Sequence, residues 1–144
     1  MLPRETEADA TNDITTTNRR LKTRIFFVES ASDAPAEQWK FPTVLLEDGE
    51  SLADAAMRLA KNKLGEEVEL LSLSNCPIAV DLEIEEESEF FGTKTFFMKL
   101  QYFRGDVKPS TGDASFGWLD RAELVENAES SDGINAGKFY RYML

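Results

Sequence analysis

Residues 51–65 constrain the fold most, because they carry every signal of one amphipathic helix. Ser51 can accept hydrogen bonds from the free backbone N–H groups at a helix start, and Asp54 stands three residues on, as in a capping box. Gly65 suits the left-handed conformation that ends many helices. The sequence therefore predicts a helix over 51–64. Its apolar residues share one stripe at helical spacing: Leu52, Ala55, Ala56 and Leu59, with Lys63 one turn further.

The rest of the chain interleaves strand and helix patterns. Residues 93–103 alternate most regularly, and one of the two faces of this strand is expected to be core. One face carries Phe96, Met98, Leu100 and Tyr102, and the other carries Phe97, Lys99, Gln101 and Phe103. This arrangement predicts an α/β domain in which a mixed β-sheet is flanked by helices. Strands are predicted at 25–28, 39–42, 68–73, 78–84, 93–103 and 118–119, and further helices at 120–127 and 134–144.

Length and composition indicate one folded domain with an N-terminal arm. The chain has 144 residues and is 42% hydrophobic, which is enough for a single core. Residues 1–18 are polar and lack periodicity, so we expect an extended arm that orders only against a partner, followed by a domain over 19–144. The opening residues resemble neither a signal peptide nor an Arg-rich transit peptide, and the sequence contains no apolar run of membrane-spanning length.

The residue types present narrow the possible chemistry. The chain contains no histidine, so Ser-His-Asp and Cys-His nucleophiles are excluded and the commonest zinc ligand is missing. The single Cys76 cannot form an internal disulfide. Carboxylate-bound Mg²⁺ or Mn²⁺ is the one conventional metal chemistry left.

The predicted helix and the loop before it resemble a Nudix box, whose pattern is G-x5-E-x7-R-E-U-x-E-E-x-G-U with U a bulky apolar residue. Glu50, Arg58 and Gly65 match, whereas the opening glycine falls on Val44. In active Nudix hydrolases the helix carboxylates hold the cations that activate water. The positions of those carboxylates are here taken by other residue types: Leu59, Asn62 and Lys63.

These replacements predict a structural box with no catalytic residue, no metal and no cofactor. Lys63 places a positive charge where a cation should bind. Glu50 and Arg58 are placed to form an ion pair that fixes the loop to the helix. A less favoured alternative is that acids further along supply replacement ligands, although such runs are usually solvated. Those acids are Glu83, Glu85, Glu86, Glu87 and Glu89.

Three further stretches extend the resemblance beyond the box, over about residues 10–144. The first is Asn18-Arg19-Arg20-Leu21-Lys22, followed by Gln38-Trp39-Lys40-Phe41-Pro42 and Gly49-Glu50-Ser51-Leu52. The second is Leu73-Ser74-Asn75-Cys76-Pro77, and the third is Gly92-Thr93-Lys94-Thr95-Phe96-Phe97-Met98-Lys99, with Gly105-Asp106, Trp118-Leu119 and Glu123-Leu124 after it. In their order and spacing these stretches resemble the L-forty-six family of mitochondrial large-subunit ribosomal proteins, which is built on a Nudix-like domain.

The resemblance implies a non-enzymatic component of the mitochondrial ribosome, located at the central protuberance in the matrix. Expected partners are neighbouring large-subunit proteins rather than a second copy of the chain, with limited rRNA contact, because a net charge of −11 opposes nucleic acid. The candidate contact residues also have simpler explanations. Those before the first predicted strand would be solvated where the strand begins, and those near the C-terminus would belong to a helix that packs on its own domain. The candidate contact residues are Arg19, Arg20, Lys22, Arg24, Lys138, Tyr140 and Arg141.

Two other functions remain open from the sequence. A divergent Nudix pyrophosphohydrolase, or a domain that binds nucleotides without cleaving them, would require Mg²⁺ or Mn²⁺ and specific acids. A free regulatory Nudix-like domain outside the ribosome would differ only in where the protein sediments.

Overall fold

A computed structural model describes residues 4–30, 38–84, 92–108 and 115–144. Its elements, in chain order, are α1 (Glu7–Thr11), β1 (Ile25–Ser30), α2 (Leu52–Leu64), β2 (Glu69–Ser72), β3 (Ala79–Ile84), β4 (Gly92–Phe97), β5 (Leu100–Arg104), β6 (Ser115–Asp120), α3 (Arg121–Ser131) and α4 (Ile134–Met143). The mixed α/β class is confirmed.

The chain divides into two compact units. The first, here called the terminal unit, comprises Met1–Pro42 and Thr111–Leu144, and the second, the central unit, comprises Thr43–Ser110. The division into an arm over 1–18 and a domain over 19–144 stays a prediction.

The terminal unit is built on an antiparallel pair of β1 and β6, in which Phe27 lies opposite Trp118. Its core contains Val28, Leu119 and Leu124, all buried. Asp120 ends β6 and caps α3, since its side chain accepts a hydrogen bond from the Glu123 backbone. One strand end and one helix start therefore share a residue. Five half-buried apolar residues cover this core: Ile14, Phe26, Trp39, Phe41 and Leu144.

The N-terminal segment has more structure than its sequence predicted. Thr6 and Asp9 form a capping box at the start of the five-residue helix α1. Further on, the carbonyl of Ile14 accepts a 2.7 Å hydrogen bond from the Trp118 backbone N–H. Gly117 allows this approach, because a Cβ there would lie 3.0 Å from Ile14 Cδ1. The expectation of an arm that orders only against a partner was wrong for these residues, which pack on their own chain.

The central unit contains α2 and two antiparallel strand pairs, β2 with β5 and β3 with β4. Its buried apolar residues are Ala55, Leu64 and Val68. Ser51 caps α2 through the Asp54 backbone N–H, as predicted. The helix is thereby fixed at its start by its own sequence.

The strand predicted over 93–103 is interrupted at Met98 and Lys99. β4 pairs with β3, where Phe97 lies opposite Ala79, whereas β5 pairs with β2, where Leu100 lies opposite Ser72. Alternation of residue types continues through the change of partner, so it could not reveal the break. The face that carries only apolar and aromatic residues is partly open to solvent, since Phe96 is 38% exposed.

Two more expectations about strands need correction. The strand predicted at 39–42 reduces to a single bridge between Lys40 and Glu29. The predicted mixed sheet is replaced, among the described residues, by three two-stranded antiparallel sheets. The sequence pattern locates strands but carries no information on which of them pair.

Candidate functional site

The loop before α2 is held to the helix by Arg58 and Glu50. Arg58 Nε lies 2.8 Å from Glu50 Oε1, and Nη2 lies 2.8 Å from Oε2, which is a two-bond, fork-like contact. Nη2 also donates to the Leu45 carbonyl at 3.1 Å, and Nη1 lies 3.4 Å from Glu47 Oε1. One guanidinium thus contacts three residues of the loop. The structure therefore brings together the two residues that the sequence proposed as a pair.

The pair changes the electrostatics of both groups. The hydrogen bonds from Arg58 lower the pKa of Glu50 to about 2, against the opposing effect of desolvation. The same contact raises the pKa of Arg58. Glu50 is therefore a carboxylate with its oxygens engaged by a cation, which suits a structural role and not that of a base or a metal ligand.

The other residues of the box lie along α2 and at its end. Gly65 follows the helix with φ of +105°, a conformation that favours glycine. Leu59 and Lys63 are half-buried and Asn62 is exposed. Within the described ranges, no group of three or more acidic, cysteine or histidine side chains could hold a metal ion. Glu83 is exposed on β3, whereas Glu85, Glu86, Glu87 and Glu89 lie outside the described residues.

Arg19 is an internal residue, and its prediction as a partner contact was wrong. Its side chain is 1% exposed and forms a two-bond ion pair with Glu123, with distances of 2.7 and 2.9 Å. It also donates to the Trp118 carbonyl and to Asn12. The physical reason is that a buried cation requires nearby acceptors, and the start of α3 supplies them. No local pattern in the sequence distinguishes buried Arg19 from its exposed neighbours Arg20 and Lys22.

The remaining basic residues of this segment are accessible. Arg20 adopts a positive φ of 52°, and its guanidinium lies 3.5 Å from Asp120 and 3.4 Å from Glu123. Its backbone N–H donates to Asp9 at 2.8 Å. Lys22 and Arg24 are exposed. The exposed pair is consequently better placed than Arg20 to contact a partner.

The C-terminal helix combines internal and exposed residues. Tyr140 is half-buried, with its ring centroid 5.7 Å from that of Phe41. Arg141 pairs with Glu129 at 3.0 Å. Lys138 is exposed, and Tyr142 is 88% exposed. Tyr140 thus packs on its own unit, whereas Lys138 and Tyr142 are accessible.

The sequence did not reveal Asp120 and Glu123 as partners of the basic segment. The Glu123 carboxylate accepts hydrogen bonds from Arg19 and, at 2.8 Å, from the Asp120 backbone N–H. Burial raises the pKa of Glu123, but the bonds from Arg19 and Asp120 outweigh it, and the net shift is downward. The only available signal was the capping-box spacing of the two acids.

Comparison with curated proteins identifies relatives of this chain. It is 29% identical over 126 residues to the mouse large ribosomal subunit protein mL46, an alignment that covers 84% of the chain. The rat mL46 protein gives the same identity over the same share of the chain. The chain is thus similar to mL46 proteins over most of its length. The mL46 protein of Neurospora crassa is 28% identical over 135 residues, so the similarity to mL46 spans animals and a fungus.

The chain spans less than half the length of these mL46 relatives. The alignments cover 44% of the mouse protein, 45% of the rat protein and 37% of the Neurospora crassa protein. No protein-family model matches the chain. Among the described residues, no helix is long and apolar enough to cross a membrane.

Proposed function

We propose that the chain is a structural, non-enzymatic constituent of the mitochondrial large ribosomal subunit. The observation that carries this proposal is the similarity to mL46 proteins of three organisms over most of the chain. The relatives are named as ribosomal proteins, and the proposal extends that role and its mitochondrial location to this chain. The chain would act in mitochondrial translation as part of the ribonucleoprotein.

The proposal includes a Nudix-like fold that has lost its chemistry. Support comes from the box, where Arg58 still engages Glu50 while Leu59, Asn62 and Lys63 occupy the positions of metal-binding acids. A helix without those acids cannot assemble a divalent-cation site of the Nudix type. The Arg58–Glu50 contact that fixes the loop before α2 is present, as expected if the fold is retained for its shape.

We further propose that the chain works at the central protuberance chiefly through contacts with other ribosomal proteins. A net charge of −11 disfavours extensive binding to rRNA, whose backbone is recognised by basic side chains. The exposed basic residues of the predicted set include Arg20 and Arg141, which are engaged in ion pairs. The others are available for limited rRNA contact: Lys22, Arg24 and Lys138. Like charge also opposes self-association, so the proposed partners are not further copies of the chain.

Sedimentation of mitochondrial lysate tests the proposal. The chain should migrate with the large subunit and stay there when salt is raised, because apolar contacts resist screening whereas ionic contacts do not. A chain that stays at the top of the gradient would contradict the ribosomal role.

A further inference from the structure

β3 is an edge strand in the part of the chain that the structure describes. It pairs with β4 alone, so its other side presents backbone donors and acceptors to solvent. The two strands approach closely at Gly92, where a Cβ would lie 2.5 Å from the Glu83 carbonyl oxygen. A two-stranded sheet is only marginally stable in water by itself. A further strand that paired with the open edge of β3 would therefore stabilise this two-stranded sheet.

The two faces of β3 differ sharply in chemistry. Val80, Leu82 and Ile84 point to one face and are 43%, 58% and 70% exposed. Asp81 and Glu83 point to the other face and are also exposed. Within the described residues, neither acid forms an ion pair with a basic side chain. A strand added to this edge would meet apolar neighbours on one side and unpaired negative charges on the other.

One hydrogen bond satisfies a backbone donor of β3 when no further strand is bound. The backbone N–H of Leu82 donates to the carboxylate of the preceding Asp81 at 3.0 Å. A carbonyl from an incoming strand could accept from this N–H instead. The Asp81 carboxylate would then be released to a basic side chain of the same strand, so the two contacts favour each other.

We infer that the open edge of β3 binds an extended segment of another protein in which apolar residues alternate with lysine or arginine. Directly opposed residues on neighbouring strands lie about 4.5–5.5 Å apart, close enough for apolar pairs on the Leu82 face and ion pairs on the Glu83 face. Backbone hydrogen bonds between the segment and β3 supply affinity, and the alternation of apolar and basic residues in the segment supplies specificity. This inference goes beyond the proposed function and does not require it.

Charge on the strand argues against the other occupants. In an antiparallel pair of two β3 strands from two copies, acids would lie beside acids, which is destabilising. RNA is opposed by the same acids, because its phosphates are negative. Lys94 is on the neighbouring strand, with Nζ 5.3 Å from the Phe96 ring centroid, and so does not neutralise the open edge.

The test is hydrogen–deuterium exchange of the whole chain titrated with a seven-residue peptide of alternating valine and lysine. Among the amides of Ala79–Ile84, those that face the open edge should become protected saturably, by about tenfold or more. A valine–glutamate peptide should give no protection, and neither should the valine–lysine peptide N-methylated at alternate amides. Absence of protection by the valine–lysine peptide would overturn the inference.

Matched variants separate edge binding from general attraction of a cation to an acidic protein. Glu83→Lys should weaken the peptide about tenfold or more, while Glu126→Lys, the same charge change on exposed α3, should alter it by less than about twofold. Leu82→Ser should weaken it, whereas Leu71→Ser, at another exposed leucine, should not. Equal losses in each matched pair, or protection that appears with rising protein concentration alone, would overturn the inference. The second result would identify another copy as the occupant, and neither bears on ribosome association.

Discussion

Arg19 and Glu123 lie 104 residues apart in the sequence and form two parallel hydrogen bonds, Nη2 to Oε1 at 2.7 Å and Nη1 to Oε2 at 2.9 Å. The arginine is fully buried and the glutamate is 23% exposed. The pair joins the segment before β1 to the first turn of α3. It therefore links the N-terminal and C-terminal segments of the terminal unit.

Removing the charge of Glu123 should destabilise the protein strongly. Glu123→Gln keeps the side-chain size but removes the ion-pair partner of buried Arg19, and breaking a buried pair on one side typically costs about 3–5 kcal/mol. The measurement is the free energy of unfolding in urea. Glu126→Gln, on the exposed side of the same helix, should change it by less than about 0.5 kcal/mol. Similar small losses for both variants would show that the pair contributes little.

Replacing Arg58 should destabilise the central unit. Arg58→Ala removes the contacts to Glu50, Glu47 and the Leu45 carbonyl, and we expect a melting temperature lower by roughly 2–4 °C. Arg58→Lys should recover only part of the loss, because an ammonium cannot reproduce the planar fork. Lys61→Ala, which removes a 3.8 Å surface ion pair between the same helix and Glu66, is the control and should have little effect. An unchanged melting temperature for Arg58→Ala would refute the structural role of the box.

The Glu50 carboxyl should remain ionised far into the acid range. The unfolded chain has an ordinary glutamate pKa of about 4.3, whereas the Arg58 contact holds the pKa in the folded protein at about 2. Its contribution to stability is therefore complete above the unfolded value and is lost as the pH falls through the folded value. Carbon NMR of the Glu50 carboxyl should show no titration between pH 6 and roughly pH 3. A midpoint near 4.3 would mean that the pair does not persist in solution.

Hydrolysis of nucleoside diphosphate derivatives should be absent with either Mg²⁺ or Mn²⁺. The reason is the loss of acids at Leu59, Asn62 and Lys63, which can be tested by restoring them together as glutamates. The triple variant should gain Mn²⁺ binding detectable by calorimetry, and the parent chain should show none. Metal-dependent turnover by the parent chain would favour the divergent-hydrolase alternative.

Elements whose signals are local could be predicted from the sequence. α2 begins after Ser51 and ends before Gly65 in the structure, because a cap, an apolar stripe and a glycine stop all lie within that stretch. The Glu50–Arg58 contact was also predictable, since the two residues lie across one short loop–helix junction. Local spacing was enough in both cases.

Features that depend on distant residues could not be predicted. The interruption at Met98 follows from β4 and β5 having different partner strands, and the sequence does not encode pairing in its alternation. Arg19 resembled its exposed neighbours Arg20 and Lys22, and only the position of Glu123 distinguishes it. Long-range contacts of this kind are set by the packed chain and not by local pattern.

The most direct test of the ribosomal proposal is sedimentation of the chain in a sucrose gradient of mitochondrial lysate, at moderate and at high salt. We expect co-migration with the large subunit at both salt concentrations, since the acidic chain should be held mainly by contacts that salt does not screen. Recovery of the chain only at the top of the gradient, at both salt concentrations, would contradict its assignment as a constituent of that subunit.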